Sequence, residues 1–106
     1  MVQPIAEILF EIKKSVYTEE PKATVILYGS YARGNNNIDS DIDILVLLDK
    51  EKLTIDDQKR IKYPLYEIEF EKGILISPFI ISRKEWETKY RITPFYDNIA
   101  REGILL

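Results

Sequence analysis

The sequence predicts an α/β (α+β) fold in which a small mixed three-stranded sheet is packed with helices. Three observations carry that reading. Short apolar runs at residues 23–28, 42–48 and 74–81 have strand length and are bounded by glycine, proline or charged residues. Between them lie stretches with helical spacing or capping signals, so the order reads α-β-α-β-α-β-α. The long helical stretch between the second and third strands implies a right-handed parallel crossover. With 106 residues, one domain over residues 1–106 is expected, large enough for a modest core.

Each element has its own reason. Residues 4–17 read as an amphipathic helix. Pro4 suits the first helical position, and Ile5, Ile8, Leu9, Ile12 and Val16 make one apolar stripe. Glu19-Glu20-Pro21-Lys22 is the connecting loop, and Ala23–Tyr28 the first strand. Gly29-Ser30 opens a short helix, Tyr31–Gly34, with Ser30 as its cap, and Asn35-Asn36-Asn37 is a turn. Ile42–Leu48 is a buried strand, followed by a charged loop. Thr54 with Asp57 resembles a capping box opening a helix over about Ile55–Lys72, whose Ile61, Leu65 and Ile68 share a face. Pro64 lies inside it and is expected to kink or divide it, and Gly73 to stop it. In the third strand Pro78 cannot donate to a ladder, so the strand belongs at a sheet edge or is bulged there. Ser82 and Glu85 make another capping box, so Glu85 reads as a cap rather than a ligand, and the short helix it opens runs to about Tyr90. Thr93-Pro94 starts a last helix, Phe95–Glu102, ended by Gly103. Phe95, Ile99 and the terminal Ile104-Leu105-Leu106 read as core or a docked tail, in preference to an oligomer or partner surface.

Composition narrows the function classes. Hydrophobic content of 45% and charged content of 31% are those of a soluble globular chain. A net charge of −3 argues against DNA or RNA as the main partner. The absence of Cys and His excludes disulfides, thiolate or imidazole zinc sites and histidine acid–base catalysis. No signal peptide and no apolar run of membrane-spanning length is visible, which makes a cytoplasmic location the default expectation.

The chemistry concentrates in Tyr28–Val46, YGSYARGNNNIDSDIDILV. Asp41 and Asp43 are two residues apart at the mouth of a strand, so their side chains share a face. Two adjacent carboxylates repel, and a divalent cation resolves the conflict; hard oxygen ligands suit Mg²⁺. The plainer reading is a polar loop with solvated aspartates. Gly29-Ser30 weighs against it. Glycine at a strand end allows close approach of a ligand. Backbone N–H groups at a helix start favour phosphate, and Arg33, one turn on, adds a charge. Ten residues separate Ser30 from Asp41.

GSYARG…SDIDILV resembles the signature of the DNA polymerase beta-type nucleotidyltransferase superfamily, and most of all its small stand-alone members, the minimal nucleotidyltransferases (MNT). Gly29, Ser30, Asp41 and Asp43 match the pattern position by position, and the expected fold agrees with the nucleotidyltransferase core. The resemblance implies Mg²⁺ held by Asp41 and Asp43. It also implies ATP or another nucleoside triphosphate as substrate, held by Gly29, Ser30 and Arg33. The partner it implies is a small helical HEPN-type protein, as in toxin–antitoxin pairs where the MNT member modifies a tyrosine of its partner. One departure stands out. Catalytic members usually carry a third acid on the next strand, and here Ser77 stands about where it would be. Glu67, Glu69 or Glu71 are the acids available to replace it. Two functions follow: an enzyme transferring a nucleotidyl group, AMP from ATP in the first instance, to an acceptor hydroxyl; or a non-catalytic nucleotide-binding or partner-docking module. The intact Gly-Ser and Asp-x-Asp favour the enzyme.

Overall fold

A computed structural model describes residues 4–106; the first three residues of the expected 1–106 domain lie outside the described residues. The elements are α1 (Ile5–Glu19), β1 (Thr24–Tyr28), α2 (Ser30–Arg33), β2 (Ile42–Leu48), α3 (Ile55–Lys72), β3 (Ile76–Ser82), α4 (Arg83–Thr88), α5 (Pro94–Glu102) and β4 (Ile104–Leu105). The sheet order is β3-β2-β1-β4. β2 and β3 are parallel, joined across α3, while β1 is antiparallel to both β2 and β4. The sheet is therefore mixed, as expected, but four-stranded rather than three-stranded.

The extra strand is the apolar tail. Ile104 pairs with Leu27 and Leu105 with Ile26. The Leu106 N–H donates to the Val25 carbonyl at 2.9 Å, and the Tyr17 hydroxyl donates to the Leu106 carbonyl at 3.4 Å. Without the tail, β1 would present a row of unpaired backbone groups at the sheet edge. The side chains of Ile104 and Leu105 stay exposed, so the backbone ladder and the partly buried Leu106 hold this segment.

Strand alternation gives the sheet two apolar faces. Val25, Leu27, Ile42, Ile44, Val46, Leu48, Ile76 and Ile80 pack under α1 (Ile8, Ile12, Val16) and α3 (Ile61, Leu65, Ile68). The opposite face carries Leu45, Leu47 and Ile81, covered by Trp86 of α4 and Ile99 of α5 with Phe79, Phe95 and Tyr96 around them. β2 is sandwiched between the two layers, which is why Ile44, Leu45, Val46 and Leu48 are all fully buried.

Several boundaries moved for local reasons. Pro4 is the N-cap of α1 rather than its first helical residue. α1 runs on to Glu19, its end marked by the Glu20 N–H bonding the Val16 carbonyl at 2.8 Å. Pro64 does not divide α3, which is continuous over 18 residues. The helix is anchored on both sides of the proline by buried Ile61, Leu65 and Ile68. It is closed by the Thr54–Asp57 capping box and by Gly73 in the left-handed conformation. Packing of that face outweighs the one lost backbone bond. β3 starts at Ile76, not Ile74, and lies at a sheet edge, where Pro78 costs no ladder bond on its outer side. Ser82 caps α4, accepting from the Glu85 N–H at 3.0 Å, and α4 ends at Thr88. Thr93 caps α5, with Pro94 as its first residue.

Candidate active site

β1, β2 and β3 present one cross-strand row at the mouth of the sheet: Tyr28 opposite Asp43, and Asp43 opposite Ser77. The alternation that sends Ile42 and Ile44 into the α1/α3 core puts Asp43 on the other face, with Leu45 behind it. Asp41, two residues earlier, joins that face, and the Ser77 hydroxyl donates to Asp41 Oδ2 at 3.2 Å.

Gly29 closes the row from the β1 side. It is the N-cap of α2, with φ 75°, and a Cβ there would collide with the Asp43 carboxylate. The glycine is thus required twice, for its backbone conformation and for the space beside it. This corrects the capping expectation: Ser30 is the first residue of α2, and the Gly29 carbonyl accepts from the Ala32 and Arg33 N–H groups at 3.1 Å each. The N–H groups of Ser30 and Tyr31 fall in the first turn, where helical geometry offers no partner. Gly34 ends the helix in the left-handed conformation. The following loop is shaped by Asn37, whose side chain accepts from the Asp39 N–H at 2.9 Å.

The electrostatics follow from this crowding. Burial, then the Asp41 charge, pushes the Asp43 carboxyl above the usual carboxylate range, and Arg33 opposes them. Burial, then Asp43, raises the Tyr28 hydroxyl. Arg33 makes an ion pair with Glu102 of α5 at 3.3 Å, both side chains being well exposed.

Two carboxylates sharing a face, one half-buried and held against its neighbour's charge, form an oxygen donor set that fits one divalent cation. A third acid is missing. No group of three Asp or Glu side chains able to hold a metal exists among the described residues. Glu69 is committed elsewhere, accepting from the Ile76 N–H at 2.6 Å. Glu67 and Glu71 lie exposed on α3, which packs against the opposite sheet face. None of the three helix glutamates therefore takes the place of the acid that Ser77 lacks.

The structure also places Tyr28 and residues of α5 beside the expected nucleotide-binding Gly29 and Arg33. Tyr28, Gly29, Arg33, Phe95, Asn98, Ile99 and Glu102 line a cavity of about 240 Å³ beside the row. The Tyr28 and Phe95 rings meet edge to face at 5.4 Å. Tyr28 had one local signal, since it is next to Gly29 on a strand. Phe95, Asn98 and Glu102 had none, because their place beside β1 depends on how α5 docks.

Residues 9–105 match the model of the nucleotidyltransferase domain family. The chain is 36% identical over 102 residues to a Methanocaldococcus jannaschii protein named "Putative protein adenylyltransferase", covering 94% of this chain and 96% of that one. Two solved structures share the fold. One is a toxin-antitoxin crystal structure with AMP-PNP, with TM-score 0.61, 19% identity and coverage of 91% of this chain and 69% of that one. The other is a "putative nucleotidyltransferase" from Sulfolobus solfataricus, with TM-score 0.58, 22% identity and coverage of 93% and 76%. The match across nearly the whole chain makes the protein a member of the nucleotidyltransferase domain family and a nucleotidyltransferase enzyme.

Proposed function

We propose that the chain transfers AMP from ATP, with Mg²⁺, to a hydroxyl group on a partner protein. The observation that carries this reading is the packing of Gly29, the residue before Ser30, against the Asp43 carboxylate, with Asp41 tied to the neighbouring strand through Ser77. The relative named as a protein adenylyltransferase supports the nucleotide and the acceptor class, and the toxin-antitoxin with AMP-PNP supports a nucleotide and a protein partner. A helical HEPN-type protein is the partner proposed.

In this mechanism the Ser30 hydroxyl and the first N–H groups of α2 hold phosphate oxygens. Arg33 exchanges Glu102 for the triphosphate, a move its exposed position allows. Asp41 and Asp43 hold the cation, with Ser77 fixing the Asp41 carboxylate by its hydrogen bond. A bound Mg²⁺ supplies charge neutralisation on the phosphates. The acceptor oxygen bonds to the α-phosphorus as the bond to the β-phosphate oxygen breaks; the hydroxyl proton passes to solvent and pyrophosphate leaves. With two carboxylates instead of three, activation of the acceptor hydroxyl is the poorly supported step, so turnover is slow.

Intact-mass spectrometry tests this. The chain is incubated with ATP and Mg²⁺, alone and with a small helical HEPN-type protein. One adenylyl group is expected on the partner, and Asp43→Asn should reduce its formation at least about 100-fold. No adduct on either protein, with ATP or any other nucleoside triphosphate, overturns the proposal and leaves a docking module.

A further inference from the structure

We infer, resting on the adenylyl transfer proposed above, that Ser77 is a self-modification site whose hydroxyl takes AMP from ATP and so closes the site to further nucleotide. The order of the strands points to it. The groups proposed to hold phosphate, Gly29, Ser30 and Arg33, follow directly on β1 and lie at that end of the row. Asp43 stands in the middle, on β2, and Ser77 at the far end, on β3. Transfer of this kind sets the attacking and leaving oxygens roughly in line, with phosphorus between them. With the leaving pyrophosphate held beside β1, the attacking oxygen has to come from the β3 side. Ser77 carries a hydroxyl on that side, one strand beyond Asp43, a step of about 4.8 Å.

The local setting of Ser77 suits an acceptor. The β2–β3 ladder fixes its place, and it is only partly buried, so a nucleotide can reach it. Its hydroxyl donates to Asp41 Oδ2 at 3.2 Å. A hydroxyl has one proton and two lone pairs, so with the proton turned to Asp41 the lone pairs are left for a phosphorus atom over the aspartates. The other hydroxyls near the row lack this placement. Tyr28 and Ser30 lie at the leaving-group end. Ser40, beside Asp41, accepts from the Asn37 N–H at 2.9 Å, which ties it into the loop. In the step, Ser77 Oγ bonds to the α-phosphorus and the bond from phosphorus to the β-phosphate oxygen breaks. The electron pair of the broken bond leaves with pyrophosphate, and the serine proton passes to water. The product is a serine–AMP phosphodiester lying against Asp41 and Asp43, where a second nucleotide would have to sit.

Intact-mass spectrometry of the full chain with ATP and Mg²⁺, and no other protein, is the test. One adenylyl group per chain is expected and no second, with none when EDTA replaces Mg²⁺. Fragmentation should place the group on Ser77. Ser77→Ala should abolish the adduct, and Ser77→Thr, which keeps a hydroxyl, should retain it; circular dichroism should show both variants folded. Calorimetry should show that the adenylylated chain binds Mg²⁺–ATP at least about tenfold more weakly than the unmodified chain. An adduct on another residue, one undiminished in Ser77→Ala, or a labelled chain that binds Mg²⁺–ATP as before overturns the inference. So does a chain that stays unlabelled by itself yet transfers AMP to a HEPN-type protein, a result that leaves the proposed function standing. An adduct on neither protein overturns both.

Discussion

A Cβ at Gly29 would enter the space that the Asp43 carboxylate fills, on a backbone with φ 75°. Gly29→Ala should therefore lose stability by roughly 1–3 kcal/mol from the backbone conformation alone. It should also displace Asp43, and activity should fall far more than the melting temperature suggests. Asp43→Asn separates charge from shape. Because burial and Asp41 raise the Asp43 pKa, its ionised form costs the folded state above the usual carboxylate range. At neutral pH without metal, Asp43→Asn should keep or raise the melting temperature, and the difference should shrink below about pH 4. Calorimetry should show weaker Mg²⁺–ATP binding by the same variant. Ser77, hydrogen-bonded to Asp41, stands where an added carboxylate would join both aspartates. Ser77→Asp should lower the melting temperature without Mg²⁺, recover it with Mg²⁺ and speed transfer. A Ser77→Asp protein changed in neither respect would remove this position from the metal site.

Among the elements, α3 has the most visible device at its start. Thr54 and Asp57 cap each other, at 2.9 and 3.0 Å, and Asp57 also receives Lys50 at 2.6 Å and Arg60 at 2.7 Å. The Lys50 hydrogen bond, then the Thr54 N–H, holds the Asp57 carboxyl well below the usual carboxylate range. A depressed carboxylate pKa stabilises the fold above its unfolded value and loses that effect as the pH falls. Wild type should exceed Asp57→Asn in stability at neutral pH, with the gap closing below about pH 4 in denaturant titrations. Thr54→Ala should cost about 1 kcal/mol. At the other end of the chain, a Cβ at Gly103 would lie 2.6 Å from the Ile99 carbonyl and 2.7 Å from Ile26 Cγ2. Gly103→Ala should destabilise by about 1–3 kcal/mol and free the β4 tail, seen as faster amide exchange at Leu106.

For the molecule as a whole, the site depends on two separate apolar layers meeting at one sheet. Leu45 is fully buried in the layer beneath α4 and α5, directly behind Asp43. Leu45→Ala should cost about 2–5 kcal/mol and loosen α5, which supplies Phe95 and Glu102 to the site cavity. No helix among the described residues is long and apolar enough to cross a membrane.

What the sequence determined by itself was whatever depends on near neighbours along the chain. The alternation through Asp41, Ile42, Asp43 and Ile44 fixes which side chains share a face. Gly29 before Ser30 marks the strand-to-helix turn, and Thr54 with Asp57 marks the start of α3. These are local rules, and they made the fold class and the shared face of Asp41 and Asp43 legible. Tertiary structure decided the rest. The β4 tail is a strand only because β1 offers it an edge. α3 runs through Pro64 because its buried face is anchored on both sides. The Ser77–Asp41 hydrogen bond and the Arg33–Glu102 ion pair join residues 36 and 69 positions apart. Such contacts exist only once the sheet and α5 are in place, because no local periodicity encodes which distant side chains the packed layers bring together.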